Sequence, residues 1–395
     1  MRSPEERLAR LLDRHPEFYA VASDEPTGAI IRRGELLVPA QHVGRVEETA
    51  REWTDRRIDL EPIGGARFRL RRDADVTDLI ATRLTAGEVP MAAPIHLFRG
   101  EPNYQGGPGG PPSPVATPPT APGQAARGHA TTVAVLDTGL DARHPWFPRS
   151  SWEAVDDDVE DRLDTDNDYE LDAQAGHGTF IAGIVRRHAP GAHLLVGRVL
   201  GSDGVCDEVD LLDALRRLQA AGRSRKRRVD VLNLSLGAYT WNDRPPAMLA
   251  RTLADLAADT VVVAAAGNNG SDRVFWPAAF PGVVGVGAVA ADGRGPAAFS
   301  NRGSWVRVWA PGEGVASSFV TFDGPEDERP GADIDADCFT GFATWSGTSF
   351  ATPHVAGALA ARAQEQRTSP KAVLDEVLAQ MSAPPGGAAD GSGPP

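Results

Sequence analysis

Val133-Ala134-Val135-Leu136-Asp137-Thr138-Gly139 is the run from which the rest of the chain can be ordered. Four apolar residues lead to a carboxylate, and Gly139 allows a tight turn. A strand without polar alternation is apolar on both faces, so it belongs in a parallel sheet covered on both sides. Runs of the same kind recur at Leu194–Leu200, Val229–Leu234, Val261–Ala265, Val283–Val289 and Val306–Val308. Helix-period segments lie between them, such as Leu211, Leu212, Leu215 and Leu218. A final helix is expected to open at Ser369-Pro370, an N-cap residue followed by proline at the first helical position. The fold class that follows is α/β: a mostly parallel sheet with helices on both faces.

Upstream, residues 101–128 are dense in proline and glycine and poor in apolar side chains, the composition of a linker. It separates residues 1–100 from a main unit over 129–382, and residues 383–395 read as a disordered tail. Within 1–100 a helix at Glu5–Arg14 comes first. A strand (Ala29–Val38), a helix (Gln41–Trp53), two strands (Ile58–Glu61, Arg67–Arg71), a helix (Val76–Leu84) and a strand (Met91–Phe98) follow. That order, β-α-β-β-α-β, is the ferredoxin-like arrangement of a small α+β domain.

Composition narrows the partners. Apolar residues make up 41% and charged residues 24%, as in an ordinary globular protein. No apolar run is long enough to span a bilayer, and no signal-peptide pattern opens the sequence, so a cytoplasmic location and no membrane partner are expected. The net charge of −14 is concentrated in two places. Residues 151–172 hold eleven Asp and Glu against Arg162, and residues 323–337 hold seven against Arg329. That balance disfavours a nucleic-acid partner. Cys206 and Cys338 are the only two cysteines, and two separate thiols are expected.

Three segments place a reactive side chain in a glycine-rich or strand-end setting. They are the strand ending on Asp137, Gly176-His177-Gly178-Thr179, and Ser346-Gly347-Thr348-Ser349-Phe350-Ala351-Thr352-Pro353-His354. Taken singly they read as a strand-end carboxylate, a loop histidine and a helix cap. Taken together they supply the acid, base and nucleophile of acyl transfer. A serine needs a base to take its proton, and the base needs a carboxylate to fix its tautomer. Over about residues 130–365 these motifs, in this chain order, resemble the subtilase family of serine peptidases. The resemblance implies a catalytic triad of Asp137, His177 and Ser349. A fourth segment, Ala264-Ala265-Ala266-Gly267-Asn268-Asn269-Gly270, resembles that family's oxyanion segment and puts Asn268 in the oxyanion role. Phe350 stands where methionine is common in the family, and Phe180 where a second histidine often follows.

The resemblance also implies a substrate groove. Ser235-Leu236-Gly237 would pair with an extended protein or peptide substrate. Ala265-Ala266-Gly267 would wall the pocket for the residue before the cut, and Phe275 falls at its floor. Residues 1–100 resemble the family's inhibitory prodomain in element order and position, which makes the N-terminal unit an intramolecular inhibitor. No cofactor is required. The family often binds calcium, but no site is fixed here, and Asp164-Thr165-Asp166-Asn167-Asp168 lacks the glycine and glutamate of an EF-hand loop. The expected function is a serine endopeptidase; the alternative is a catalytically silent peptide-binding module on the same fold.

Overall fold

The computed structural model describes residues 4–21, 28–72, 74–87, 89–100, 110–123, 131–165, 167, 169–224, 228–324 and 338–381. The acidic run 325–337, the tail after 382 and much of the linker lie outside these residues.

The N-terminal unit runs α1 (Pro4–Arg14), β1 (Phe18–Ala20), β2 (Ile30–Pro39), α2 (Val43–Thr49), β3 (Thr54–Leu60), β4 (Gly65–Leu70), α3 (Val76–Thr82) and β5 (Ala93–Gly100). Its core packs Leu36, Val38, Phe68, Val76, Leu79 and Ile80 between sheet and helices. The linker then contributes a two-residue strand, β6 (Ser113–Pro114).

The main unit follows with β7 (Thr132–Asp137), β8 (Trp152–Ala154), α4 (His177–His188), β9 (His193–Arg198), β10 (Val205–Asp207) and α5 (Glu208–Ser224). Next come β11 (Val231–Leu234), β12 (Leu236–Gly237), α6 (Ala247–Ala257), β13 (Val261–Ala265), β14 (Val283–Val289), β15 (Val306–Pro311), β16 (Val315–Asp323), β17 (Cys338–Trp345), α7 (Thr348–Gln366) and α8 (Leu374–Met381). A seven-stranded sheet in the order β8-β9-β7-β11-β13-β14-β15 forms its centre, with every pairing parallel. Alternate strand residues face opposite layers. Val133, Leu194, Val231 and Val263 pack with Val355, Leu359 and Val377 of α7 and α8. Ala134, Leu195, Leu232 and Val262 pack with Leu211, Leu215, Leu249 and Leu253 of α5 and α6. Both faces of the inner strands are therefore dry, which is why their sequences show no alternation; edge strand β15 departs from the expectation, with Val308 and Ala310 buried and Arg307 exposed.

Two sheets join the units. β5 lies between β10 and β12, antiparallel to both, so the sheet of the N-terminal unit continues into the main unit. β17 pairs with β16 on one side and with linker strand β6 on the other. Ser369-Pro370 does not open a helix. The Ala372 N–H donates to the Ser369 carbonyl (3.0 Å), closing a turn in which proline's fixed φ suits the second position, and α8 starts at Leu374. Cys206 is buried and Cys338 exposed, both as free thiols.

Candidate active site

Asp137 ends β7 and His177 begins α4, and both side chains are fully buried. The His177 Nδ1 lies 2.7 Å from the Asp137 Oδ1, which also accepts the Thr138 N–H (2.8 Å). Two glycines permit this approach. Gly176 precedes the helix at φ +78°, and a Cβ there would stand 2.5 Å from the Phe319 ring. A Cβ on Gly178 would stand 2.3 Å from the Gly139 carbonyl oxygen. The buried carboxylate of Asp161 holds the start of α4, accepting from the Gly176 N–H (3.2 Å), the Thr179 N–H (3.3 Å) and the Thr179 hydroxyl (2.6 Å). Burial pushes the Asp161 carboxyl up, while hydrogen bonds from Thr179, Thr138 and Gly176 oppose that shift.

Ser349 is the second residue of α7 and is buried. Its hydroxyl donates to the Ser235 carbonyl (3.1 Å), and its own carbonyl accepts from the Ser235 hydroxyl (2.8 Å). That carbonyl is available because Pro353, four residues on, has no N–H to continue the helical ladder. The Asn233 amide in turn donates to the Ser235 hydroxyl (2.9 Å).

Asn268 follows β13, and its Oδ1 accepts both the Thr348 N–H and the Thr348 hydroxyl (2.9 Å each). This turns Nδ2 the other way. Nδ2 is buried and has no hydrogen-bond partner among the described residues. Behind the histidine, Trp345 meets the His177 ring edge-on at 5.5 Å, and Phe350 lies 5.3 Å from it. Phe180 and Phe350 stack at 4.6 Å between centroids, so the two departures from the family pattern pack against each other.

The residues expected to line a substrate groove are placed as follows. Leu236 pairs with Gly100, and Gly237 with Arg99, so β12 already holds an extended strand. The Leu236 side chain itself is core. A Cβ on Gly100 would be 3.6 Å from the His177 ring, so β5 ends beside the histidine. Ala265, Ala266 and Gly267 follow one another at the end of β13, and the Ala266 carbonyl accepts from the Asn301 amide (2.8 Å). Phe275 is fully buried. A Cβ on Gly237 would stand 2.2 Å from its ring and one on Gly267 3.2 Å, so the ring fills the gap between the two glycines. Tyr239 packs edge-on against Phe275 at 5.0 Å and accepts from the Asn301 amide (2.9 Å).

Thr348, Pro353, Asn301, Tyr239 and Asp161 were not assigned from sequence. Proline four residues after a serine at a helix start was a usable signal for one of them, and the other four carry none outside three dimensions.

Several acids of segment 151–172 are paired or buried. Asp156 pairs with Arg217, and Asp158 with Arg162 and Arg198. Asp172 is buried and accepts from the Thr165 N–H (2.8 Å) and the Ser202 hydroxyl (2.6 Å). Basic side chains of the N-terminal unit reach acids of the main unit: Arg14 to Asp172, His15 to Asp203, Arg32 to Asp207 and His96 to Glu208. Asp166 and Asp168 lie outside the described residues, among which no three His, Cys, Asp or Glu side chains could hold a metal ion. No described helix is long and apolar enough to cross a membrane.

Comparison with known proteins gives one family. The subtilase family model (Peptidase S8) matches residues 128–386. The chain is similar to a thermophilic serine proteinase of Bacillus sp. (strain AK1), 32% identical over 259 residues, 60% of this chain and 53% of that protein. It is similar to an intracellular serine protease of Paenibacillus polymyxa, 33% identical over 59% of this chain and 67% of that one. It is also similar to the major intracellular serine protease of Bacillus subtilis (strain 168), 29% identical over 65% of this chain and 76% of that one. The chain thus spans about half the length of the first of these relatives.

Proposed function

The chain belongs to the subtilase family, and from that premise we propose that it is a serine endopeptidase working through Asp137, His177 and Ser349. The observation that carries this reading is the Asn268 amide. Its Nδ2 is a buried donor with no partner among the described residues, and its Oδ1 is held by Thr348, the residue before Ser349 in the first turn of α7. Such a donor costs free energy at rest and is compensated when an oxyanion forms next to it. Nδ2 and the Ser349 N–H would bind the charge developing on the scissile carbonyl oxygen. His177, oriented by Asp137, would take the Ser349 proton and pass it to the leaving amine. At rest the Ser349 hydroxyl donates to the Ser235 carbonyl (3.1 Å). A substrate N–H arriving at that carbonyl competes for it and frees the hydroxyl to turn to His177.

The substrate is a protein or peptide bound as a strand on β12, with a small side chain before the cut, because Phe275 fills the space between the two pocket glycines. The N-terminal unit is an intramolecular inhibitor. Its β5 occupies the strand position between β10 and β12 that a substrate would need.

A fluorophosphonate should label Ser349, and Ser349→Ala should lose hydrolysis by several decades without loss of fold. A chain that binds peptides but neither takes the label nor cuts would be the silent module instead. Cutting the linker should raise the rate; an unchanged rate would remove the inhibitory role of residues 1–100.

A further inference from the structure

We propose that Asn301 is a positioning residue for the oxyanion donor: it fixes the turn 266–271 and, through that turn, the aim of the Asn268 amide. The proposal rests on Asn268 filling the oxyanion role. The turn leaves β13 after Ala265 and carries Asn268. Gly267 at φ +97° and Gly270 at φ +62° both lie in the left-handed region, where glycine permits the bend but adds freedom to it. Bonds from outside the turn must therefore hold its shape.

Asn301 is fully buried and grips the turn on both sides of Asn268. Its backbone N–H donates to the Gly267 carbonyl (2.9 Å). Its Nδ2 donates to the Ala266 carbonyl (2.8 Å), and its Oδ1 accepts the Asn269 N–H and the Ser271 N–H (3.1 Å each). The other Nδ2 bond goes to the Tyr239 hydroxyl (2.9 Å). An amide has two donor hydrogens and two acceptor lone pairs, so this side chain has no capacity left. A Cβ on Gly267 would collide with Nδ2, which shows how closely the two segments meet. Two backbone bonds flank the clamp: the Gly270 N–H donates to the Phe299 carbonyl (2.7 Å), and the Arg302 N–H to the Ser271 carbonyl (3.0 Å). Thr348 holds Asn268 through Oδ1. With that oxygen fixed, the aim of Nδ2 depends on where the Asn268 backbone lies, and the Asn301 bonds decide that. A displacement of about 1 Å at a catalytic group can cost about 10²-fold in rate.

Asn301→Ser leaves one short hydroxyl in place of four side-chain bonds. Asn301→Asp keeps the shape and removes both donors, and it serves in place of Asn301→Ser should that chain fail to fold. In the full chain each should lower kcat on a peptide about tenfold or more, with KM changed less than about twofold. The same substitution made in Asn268→Ala should lower kcat by less than about twofold further, because residues acting as one unit are not additive. A residue that only supports the fold would cost the same factor in both backgrounds. In the Ser349→Ala chain, hydrogen exchange at the Asn269 and Ser271 amides should quicken in Asn301→Ser. Equal kcat losses in the two backgrounds, a loss confined to KM, or unchanged exchange would overturn the role of Asn301 alone. An Asn268→Ala chain with undiminished kcat would overturn the oxyanion reading itself, and the role of Asn301 with it.

Discussion

Asn268 uses the two ends of its amide for different tasks. Oδ1 is fixed by two bonds from Thr348, and Nδ2, with no partner among the described residues, is the donor proposed for the oxyanion. Asn268→Ala should lower kcat by about 10²–10³, the loss known for the equivalent donor in this family, with KM little changed. Steady-state kinetics on one peptide check this; a loss confined to KM would contradict it. Phe275 acts by volume alone. Phe275→Gly should open the pocket and move preference from Ala, Ser or Gly before the cut toward Phe, Leu or Tyr, as read by peptide-library profiling. Efficient cutting after large residues by the unmodified chain would show that the ring does not set the size limit.

Helix α4 begins at His177, the proposed base, and its first turn is held by Asp161 rather than by a capping side chain of its own. Asp161→Ala leaves the buried Gly176 and Thr179 donors without acceptors and should cost about 1–3 kcal/mol of stability. It should also lower kcat more than KM, because the displaced helix start carries His177. Denaturant unfolding and kinetics on the same variant separate the two effects. A stable variant with unaltered kcat would show that Asp161 does not position the base. At this scale much was legible from sequence. Five buried strands show as apolar runs, the edge strand β15 being half-exposed, and the β-α-β-β-α-β order of residues 1–100 shows in alternating periods. What was not legible is pairing across long separations. A count of acidic residues in 151–172 shows a local excess of charge but not its partners: Asp161 and Asp172 are buried in hydrogen-bond networks, and Asp156 and Asp158 are paired with arginines. Leu236-Gly237 reads as an edge awaiting a peptide. That the chain's own β5 lies there depends on how two distant units meet, which neither segment states alone.

For the whole molecule, two histidines make stability and docking depend on pH in opposite senses. Burial, with His188 and Arg187 nearby, depresses His354 to about 3, so the unfolded chain binds its proton first. The stability from a neutral His354 is present above pH 6.5 and is lost on acidification toward 3. Thermal unfolding from pH 7 to 4 should show a falling midpoint, with a shallower fall in His354→Asn. His15 of the N-terminal unit is raised, chiefly by its hydrogen bond to Asp203 of the main unit. Its contribution to docking is full below pH 6.5 and is lost as pH rises through its folded value, so binding of the two units should weaken toward alkaline pH and lose that dependence in His15→Asn. The shared strand β5 has one more effect, on what becomes of residues 1–100 once they are separated. Ile95 and Phe98 are buried in a cluster made largely of main-unit residues, and Leu97 packs with Val205 of β10. Freed, β5 is an eight-residue sheet edge bearing those apolar side chains. Such an edge is a template for self-association. If residues 1–100 are the proposed inhibitor, their release would be followed by loss to aggregates or to degradation, and activation would be a one-way step.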